Sequence, residues 1–419
     1  MNRLDELIRK LCPDGVPYRT LGEMGTFYNG LSGKTKEDFR EGNATFITYM
    51  NVYSNMELKT DVTEKVRIGE NEKQNIVQYG DIIFTGSSET LDECGMSSVV
   101  TAKTDAKLYL NSFCFGYRFN ESSCFIPAFT KHLFRSNELR RQIIRTASGV
   151  TRFNVSKKKM ENVKLPVPPL EVQREIVRVL DNFTFLTAEL TAELTARRKQ
   201  YEYYRNRLFI FDDETENKIL ELGSMAKVTK LAGFEFTNYV KYSNEGKVIA
   251  LRGLNVKDGR LVLNDVKYID KSDFSKLKRS KLRIDDMLFT YVGTVGQVAL
   301  IDKNDKYYLA PNVALIRIEN KNIIPKFLMY YFQTTIFKEK EINRLQQSSS
   351  MKNIPMEKIR RFKVPVPSLE TQKRVITFLD NFDAVCNDIS IGLPAEIAAR
   401  QKQYEYYRDK LLTFKELNA

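Results

Sequence analysis

Apolar residues recur three and four positions apart along two long stretches of the chain, one ending near residue 211 and the other near residue 414. This spacing predicts α-helices, because it places the apolar side chains on one narrow stripe. Narrow stripes are typical of helices that pack against each other in a coiled coil. The predicted packing residues are Leu190, Leu194, Tyr201, Tyr204 and Leu208 in the first helix and Ile389, Leu393, Ile397, Tyr404, Tyr407 and Leu411 in the second.

The two helical stretches are copies of one sequence. Ten of eighteen positions are identical between Pro166–Phe183 and Pro365–Phe382, and ten of thirteen between Ala196–Leu208 and Ala399–Leu411. The offset between the copies rises from 199 to 203 residues, so the second copy holds four more residues. Each predicted helix has roughly 40 residues and a length of ~60 Å, and we expect "GLP" at residues 392–394 to bend the second.

The repeated helices leave two domain-sized segments. We therefore divide the chain into a first globular domain at residues 1–165, a central helix at 166–211, a second globular domain at 212–364 and a distal helix at 365–419. Both globular segments predict mixed α and β structure. The second contains a strand, a hairpin turn at Asp258-Gly259 and another strand, and its Asn255-Val256 stands where the first has Asn51-Val52. We expect the two domains to share a fold and to differ in their loops.

The charge and the cysteine content narrow the class of protein. Lys and Arg exceed Asp and Glu by 66 − 53 = 13 residues, and a sequence pI near 9.2 suits a polyanionic partner such as DNA or RNA. The five cysteines show no C-x-x-C spacing and His132 is the single histidine, so we expect no zinc site and free thiols in a reducing cytoplasm. The N-terminus is charged, and no stretch approaches ~18 apolar residues, so we expect no membrane insertion.

Catalytic motifs are missing from the sequence. "YNGLSGKT" lacks the first glycine of a phosphate-binding P-loop, because Tyr28 stands five residues before Gly33. The Asn/Asp-Pro-Pro-aromatic tetrapeptide of an amino-methyltransferase is not present, and one histidine excludes most histidine-based acid–base schemes. We therefore predict a chain with no catalytic residue and no metal ligand of its own.

Polar loops in both globular segments carry the candidate nucleic-acid contacts. Serine, threonine, asparagine, glutamine and arginine can pair with base edges, whereas lysine clusters suit phosphates. The predicted nucleic-acid-binding residues are Lys34, Thr35, Ser87, Ser88, Arg152, Asn154, Lys157 and Lys158 in the first segment and Arg252, Thr294, Gln297, Lys352 and Asn353 in the second.

The stretches "PVPPLEVQREIVRVLDNF", "ARRKQYEYYRNRL" and "GLPAEIAARQKQYEYYRDKLL", together with the paired globular segments, resemble the specificity subunit of type I restriction-modification enzymes over essentially the whole chain. The resemblance implies an α+β fold in which an antiparallel pair of long coiled-coil helices separates two target-recognition domains, with a pseudo-twofold internal repeat. Each domain would recognise one half of a bipartite, asymmetric site on double-stranded DNA.

The resemblance also implies the partners and their cofactors. Two methyltransferase subunits carrying S-adenosylmethionine would methylate adenine, and two restriction subunits would supply ATP- and Mg-dependent translocation and nuclease activity. This chain would bind none of these cofactors itself. A specificity subunit of a type IIB-like restriction system is the alternative, followed by a self-contained nuclease or methyltransferase and by an assembly protein without sequence preference.

The first helix copy contains the tetrapeptide TAEL twice, at Thr187–Leu190 and Thr191–Leu194. Four residues advance a helix by ~6 Å and rotate it only ~40° past a full turn, so the helix can change length while it keeps its apolar stripe. We hypothesise that this segment sets the spacer between the two DNA half-sites.

Overall fold

The computed structural model describes residues 3–211, 218–344, 353–388 and 390–417. The chain forms two compact units: residues 1–191 with 396–419 are unit 1, and residues 192–395 are unit 2. The C-terminal segment completes unit 1, because Val16 N–H donates to the Lys415 carbonyl at 2.9 Å and Leu417 N–H donates to the Val16 carbonyl at 2.9 Å. Unit 1 is therefore assembled from two separate segments of the chain, whereas unit 2 is one continuous segment.

The helices follow the chain in an order that is nearly the same in both halves. The α-helices are α1 Arg3–Leu11, α2 Leu21–Met24, α3 Tyr49–Ser54, α4 Pro127–Leu133, α5 Asn137–Ile144, α6 Lys157–Met160, α7 Leu170–Arg207, α8 Leu222–Met225, α9 Gly233–Tyr239, α10 Pro325–Phe332, α11 Thr335–Phe337, α12 Met356–Arg360, α13 Leu369–Asn387 and α14 Leu393–Leu411. Short 3₁₀-helices span Lys36–Phe39, Gly253–Asn255 and Lys278–Ser280, and a π-helix spans Lys338–Asn343. Within the described residues, no helix is both long and apolar enough to cross a bilayer.

Unit 1 is built on small sheets. Its strands are β1 Tyr18–Thr20, β2 Gly25–Asn29, β3 Ala44–Ile47, β4 Lys65–Val66, β5 Ile82–Thr85, β6 Ser87–Ser88, β7 Ser97–Val99, β8 Leu108–Leu110, β9 Cys114–Phe119, β10 Ala147–Ser148, β11 Phe153–Val155 and β12 Lys164–Pro166. They form an antiparallel sheet in the order β2-β9-β5-β7, a sheet β4-β3-β8 with β3 and β8 parallel, the pair β1-β12 and the sheet β10-β11-β6.

Unit 2 repeats this topology. Its strands are β13 Lys218–Glu221, β14 Ala226–Lys230, β15 Ile249–Leu251, β16 Val256–Lys257, β17 Arg260–Leu261, β18 Lys267–Tyr268, β19 Met287–Thr290, β20 Val298–Leu300, β21 Tyr307–Leu309, β22 Val313–Ile318 and β23 Lys363–Val366. The sheets β14-β22-β19-β20, β18-β15-β21 and β13-β23 match those of unit 1 strand for strand. The prediction that the two globular segments share a fold is confirmed.

The predicted hairpin in unit 2 is also confirmed. β16 and β17 are antiparallel, with Val256 opposite Leu261. Asp258 and Gly259 between them have φ angles of 46° and 83°, in the left-handed region that a tight hairpin turn requires and that Asp and Gly adopt most readily.

Equivalent buried polar residues tie each unit together. In unit 1 the Asp81 carboxylate accepts from Arg118 Nε at 2.7 Å and Nη2 at 2.6 Å; in unit 2 Asp286 accepts from Arg317 at the same two distances. Both aspartates directly precede the central strands, β5 and β19, and both are almost fully buried. A buried carboxylate needs such a partner, because desolvation of an unpaired charge is costly.

Each repeated helix is fastened to its unit by a buried glutamine. The Gln173 side chain accepts from the Ile126 N–H at 2.9 Å and donates to the Cys124 carbonyl at 2.9 Å. Gln372 forms the same contacts with Ile324 N–H and the Asn322 carbonyl, both at 2.8 Å. This glutamine is one of the identical positions of the sequence repeat, and its structural role explains the identity.

The cores of the units contain large aromatic residues. In unit 1, Phe84 packs between Phe115 and Phe134, with ring centroids 5.3 and 5.6 Å away. In unit 2, Phe332 and Phe337 stack at 4.1 Å. Burial of side chains of this size supplies most of the favourable free energy of folding, at ~25 cal/mol per Å² of apolar surface.

Helix α7 is continuous, whereas the second predicted helix is interrupted. α13 ends at Asn387 and α14 begins at Leu393, so the distal copy consists of two helices of 19 residues each. Gly392 lies in this break, and a Cβ there would stand 2.4 Å from the Ala384 carbonyl oxygen, so the chain can turn here only at glycine. The prediction of one long distal helix is corrected in this respect: the helix does not bend but stops.

Residues 192–207 of α7 pack against α13 in unit 2. The Tyr201 ring lies 6.1 Å from Phe382, and the Tyr204 ring lies 5.6 Å from Phe378. Because residue numbers rise along one helix as they fall along the other, this pair is antiparallel.

The first part of α7 packs against α14 in unit 1, where Phe183 stacks on Tyr407 at 5.3 Å. Among the other predicted packing residues, Leu194, Tyr201 and Tyr404 are buried, and Leu190, Leu208, Leu393, Ile397 and Leu411 are half-buried. Ile389 lies outside the described residues.

The sequence KQYEYYR, which occurs twice, docks in the same way each time. Tyr404 is buried in unit 1 with the Arg408 guanidinium 5.7 Å from its ring, and Tyr201 is buried in unit 2 with Arg205 at 5.1 Å. The next residue then caps a helix of the same unit. Asp409 Oδ1 accepts from the first N–H of α5 at 2.9 Å, and Asn206 Oδ1 accepts from the first N–H of α11 at 2.8 Å.

Candidate nucleic-acid interface

A cleft of about 940 Å³ opens in unit 1 where strand β5 leaves the core. The chain passes from β5 into β6, whose Ser87 and Ser88 pair with Asn154 and Phe153 of β11. The cleft is lined by Tyr49, Met50, Tyr53, Ser87, Ser88, Glu89, Glu93, Phe113, Val150, Thr151 and Arg152. Three predicted DNA-binding residues, Ser87, Ser88 and Arg152, therefore line one concave surface, and Asn154 pairs with its edge.

Arg152 is held in the cleft lining by two contacts. Its Nε donates to Ser87 Oγ at 3.0 Å, and its guanidinium lies 5.6 Å from the centre of the Phe113 ring. Phe113 is 56% exposed, Met50 58% and Val150 91%. Apolar side chains are normally withdrawn from water, so three that stand out around one cleft mark a contact surface.

Part of the cleft lining is acidic. Glu93 accepts from the Tyr53 hydroxyl at 2.6 Å and from the Thr90 hydroxyl at 2.7 Å. These hydrogen bonds, led by the one from Tyr53, lower the pKa of Glu93, because they favour the charged form. Glu89 is exposed beside it. The cleft thus offers both carboxylates and a guanidinium.

Two of the predicted lysines lie on α6, and two other predicted residues lie elsewhere in unit 1. Lys157 donates to Asn29, with its ammonium 5.8 Å from the Phe115 ring, and Lys158 is exposed. Lys34 is almost buried, where it pairs with Glu72 and donates to a backbone carbonyl at 2.6 Å. Thr35 precedes a 3₁₀-helix and donates to Asp38 at 2.9 Å. Lys34 and Thr35 do not line the cleft.

Unit 2 presents the equivalent strand end with different residues. Val292 pairs with Asn353 just as Ser87 pairs with Asn154, so the two asparagines occupy the same place. The loop between β19 and β20 of unit 2 contains two predicted residues. Thr294 is exposed, and the Gln297 Oε1 accepts from the Asp258 N–H at 2.9 Å. Lys352 lies outside the described residues.

Arg252 is held away from solvent. Its Nη2 donates to Asp265 Oδ1 at 2.8 Å and to the Asp265 carbonyl at 3.0 Å, and only 22% of its side chain is exposed. It stands at the start of the 3₁₀-helix Gly253–Asn255, which takes the place of α3 in unit 1.

Several cleft residues carry no signal in the sequence. Tyr49, Tyr53, Glu93 and Phe113 come from three separate segments, and only the fold brings these segments together. The one local sign is "TGSSE", a polar loop directly after an apolar strand, which contains Ser87, Ser88 and Glu89 but gives no indication of the other lining residues.

Each unit also carries an exposed pair of tyrosines on its copy of the repeated motif. Tyr406 is 62% exposed and packs edge-on against Tyr407, with ring centroids 5.2 Å apart; Tyr203 is 59% exposed and packs against Tyr204 at 5.4 Å. The same aromatic surface is thus displayed twice.

A duplicated α+β fold with a basic net charge and different loops at equivalent strand ends is the arrangement expected of a nucleic-acid-recognition protein with two binding surfaces. The family model of the type I restriction modification DNA specificity domain matches the chain twice, at residues 13–197 and 215–399. The chain belongs to this family, and it is a type I restriction-modification specificity subunit with a role in DNA recognition. Members of this family are generally non-catalytic.

Individual relatives agree with the assignment. The chain is 34% identical over 266 residues to the specificity subunit of EcoR124I/EcoR124II from Escherichia coli, covering 60% of this chain and 63% of the relative. It is 25% identical over 268 residues to the MjaVIII specificity subunit from Methanocaldococcus jannaschii, with coverages of 60% and 63%. Both alignments span less than two thirds of the relative.

A solved structure from work on complex assembly and conformational transition of the type I R-M system has a TM-score of 0.66, with 18% identity and coverage of 96% and 98% of the two chains. This likeness confirms the predicted fold class.

Proposed function

We propose that each unit recognises one half of a bipartite site on double-stranded DNA. The observation that carries this proposal is the equivalence of two strand ends, Ser87–Asn154 and Val292–Asn353, whose surrounding loops differ. A duplication that keeps its framework and changes its loops supports two related recognition surfaces with different targets.

Affinity and sequence preference would come from different residues. Exposed lysines such as Lys158 would contact phosphates, and their contribution to binding would fall with salt. Side chains at the cleft, including Arg152 and Asn154, would contact base edges, at about 1–3 kcal/mol for each good bidentate pair.

The acidic wall of the unit 1 cleft would select bases by their exocyclic amino groups. Carboxylates repel phosphates, but Glu accepts hydrogen bonds from the amino group of cytosine, and adenine carries an amino donor in the same groove. The exposed Glu89 and the charged Glu93 therefore support a half-site in which unit 1 contacts cytosine or adenine.

The partners would bind to the repeated motif. The two exposed tyrosine pairs, Tyr203–Tyr204 and Tyr406–Tyr407, support the docking of two copies of one partner. We propose that these partners are two methyltransferase subunits that use S-adenosylmethionine to methylate adenine, and that two ATP- and Mg-dependent translocase/nuclease subunits complete a cytoplasmic complex. This chain would direct them to the site and would supply no catalytic group.

The equivalent asparagines provide the test. Asn154→Ala should relax base preference in one half-site and Asn353→Ala in the other, by roughly tenfold for each lost contact. The measurement is selection of bound DNA from libraries in which one half-site is randomised, using the chain assembled with its methyltransferase subunits. Lys158→Ala is the control and should weaken all sequences alike. A single variant that alters both half-sites, or two variants that alter neither, would contradict the proposal.

A further inference from the structure

Arg135 lies just before α5 and donates to one wall of the unit 1 cleft from behind. Its Nη2 lies 3.3 Å from the carbonyl oxygen of Val52, 3.2 Å from that of Tyr53 and 3.4 Å from that of Asn55. These residues form the end of α3 and the turn after it. Its Nε also donates to the Ser97 carbonyl at 2.7 Å.

Arg140, within α5, holds a second wall of the cleft, which is formed by the segment after Glu89. Its Nη1 donates to the Gly95 carbonyl at 2.6 Å, and its Nη2 donates to the carbonyls of Asp92 and Cys94, both at 2.8 Å. This segment follows Glu89 and contains Glu93, the two acidic residues of the cleft. Two side chains from one short stretch therefore reach both walls.

These arginines make their contacts with backbone carbonyls, apart from one between Arg135 Nη1 and the Met96 sulfur at 3.7 Å. In the described part of the chain neither one has a carboxylate within ion-pair distance, and no other side-chain oxygen accepts from them. Burial lowers the pKa of each guanidinium to about 10, so both remain charged at neutral pH. Hydrogen bonds from charged donors are stronger than those from neutral ones, which suits a contact that must fix an irregular backbone.

The stretch that carries the arginines is itself anchored. Ser136 caps α5, and the first N–H of the helix donates to Asp409 of the repeated motif at 2.9 Å. The cleft walls are thus held to the helix pair of unit 1 through α5.

Unit 2 lacks both arginines. Gln333 is the equivalent of Arg135, and Lys338 is the equivalent of Arg140. Gln333 lies between Phe332 and Thr334, just as Arg135 lies between Phe134 and Ser136. The Gln333 side chain contacts Arg205 at 3.4 Å and the Met329 carbonyl at 3.3 Å, which are both on helices. The arginine contacts with cleft-wall carbonyls therefore occur in unit 1 and not at the equivalent positions of unit 2.

We infer that Arg135 and Arg140 are positioning residues for base recognition by unit 1: through seven backbone carbonyls they fix the two cleft walls that carry Tyr53, Glu89 and Glu93. This inference rests on the proposed role of the cleft. In this inference the two guanidinium groups influence base preference indirectly, because they hold the residues that line the cleft.

The substitutions that test it are taken from unit 2. Arg135→Gln and Arg140→Lys install the residues found at the equivalent positions. Arg141→Gln is the matched control, because Arg141 is an exposed arginine of the same helix whose side chain, among the described residues, pairs with its neighbours on α5 alone. Hydrogen exchange of the full-length chain measures the protection of residues 50–56 and 88–97. Selection from half-site libraries, with the assembled methyltransferase complex, measures base preference.

The expected result is faster exchange in both walls for Arg135→Gln, faster exchange in residues 88–97 for Arg140→Lys, and a loss of roughly tenfold in discrimination at one half-site only. Arg141→Gln should match the wild type in both measurements. Unchanged exchange in the walls, or an equal loss at both half-sites, would overturn the inference.

If the wild-type complex shows no bipartite preference, the proposed function fails, while the exchange measurement still decides whether the arginines hold the walls. If Arg135→Gln does not fold, the same two measurements on Arg140→Lys, which keeps the charge, test the inference on their own.

Discussion

His132 differs in its chemistry from the equivalent residue of unit 2. It is fully buried, with Nε2 2.8 Å from Asp181 Oδ1 and Nδ1 2.9 Å from the Tyr404 hydroxyl. In unit 2 the equivalent position is Tyr330, whose hydroxyl donates to Asp380 at 2.5 Å. Both residues join a buried helix to the repeated helix through an aspartate, but only the histidine titrates near neutral pH.

Burial lowers the pKa of His132 below its ordinary value, and nearby Lys131 and Arg408 act in the same direction, while Asp181 opposes them. The unfolded chain therefore binds a proton more readily than the folded chain. The contribution of neutral His132 to the stability of the folded chain is complete above its unfolded-state pKa of about 6.5. It is lost as the pH falls towards the lower pKa that His132 has in the folded chain.

The free energy of unfolding should accordingly decrease as the pH is lowered from 7 to 5, with a slope of at most about 1.4 kcal/mol per pH unit. The chain contains one histidine, so His132→Tyr, the residue of unit 2, should remove this slope. Denaturant unfolding at a series of pH values is the measurement. A slope that persists in His132→Tyr would show that another group causes it, and His132→Gln serves as a second variant without a titrating ring.

At the scale of elements, the central helix is continuous across the tetrapeptide repeat. Within α7 the hydroxyl of Thr187 donates to the Phe183 carbonyl at 2.8 Å, and that of Thr191 donates to the Thr187 carbonyl at 2.7 Å. Each copy of TAEL thus makes the same local contact one turn apart, and the boundary between units 1 and 2 falls after Thr191. A copy can be removed without loss of the helical hydrogen-bond pattern.

Deletion of Thr191–Leu194 should therefore shorten α7 by ~6 Å and the preferred DNA spacer by about one or two base pairs. Both half-site sequences should stay the same. Methylation mapping of the deletion strain reads out the spacer, and Glu189→Gln, which changes the repeat without changing its length, is the control. An unchanged spacer would reject the hypothesis that this segment sets it.

The sequence predicted elements whose cause is local. The stripes that contain Tyr201 and Tyr404 and the Asp258-Gly259 turn follow from short-range spacing and backbone preference. It could not predict that residues 396–417 complete unit 1, because contacts such as Val16 with Glu416 join opposite ends of the chain. The roles of Arg135 and Arg140 were equally hidden, because backbone carbonyls, which every residue carries, accept their hydrogen bonds.

For the molecule as a whole, one framework is built twice within a single chain. The ion pairs Asp81–Arg118 and Asp286–Arg317, each with a buried aspartate, recur with almost the same geometry. The glutamines Gln173 and Gln372 recur in the same way. The strand-end loops, and the arginines behind them, do not recur. Shared framework and divergent loops are what two half-sites of different sequence would require from one subunit.

Single-molecule mapping of adenine methylation in the genome of the source strain, compared with a strain that lacks this gene, tests the account most directly. The account predicts one methylated motif made of two short defined blocks with an unread spacer between them, with one methylated adenine in each block, and its complete loss in the deletion strain. A continuous motif, or a bipartite motif that survives the deletion, would contradict it.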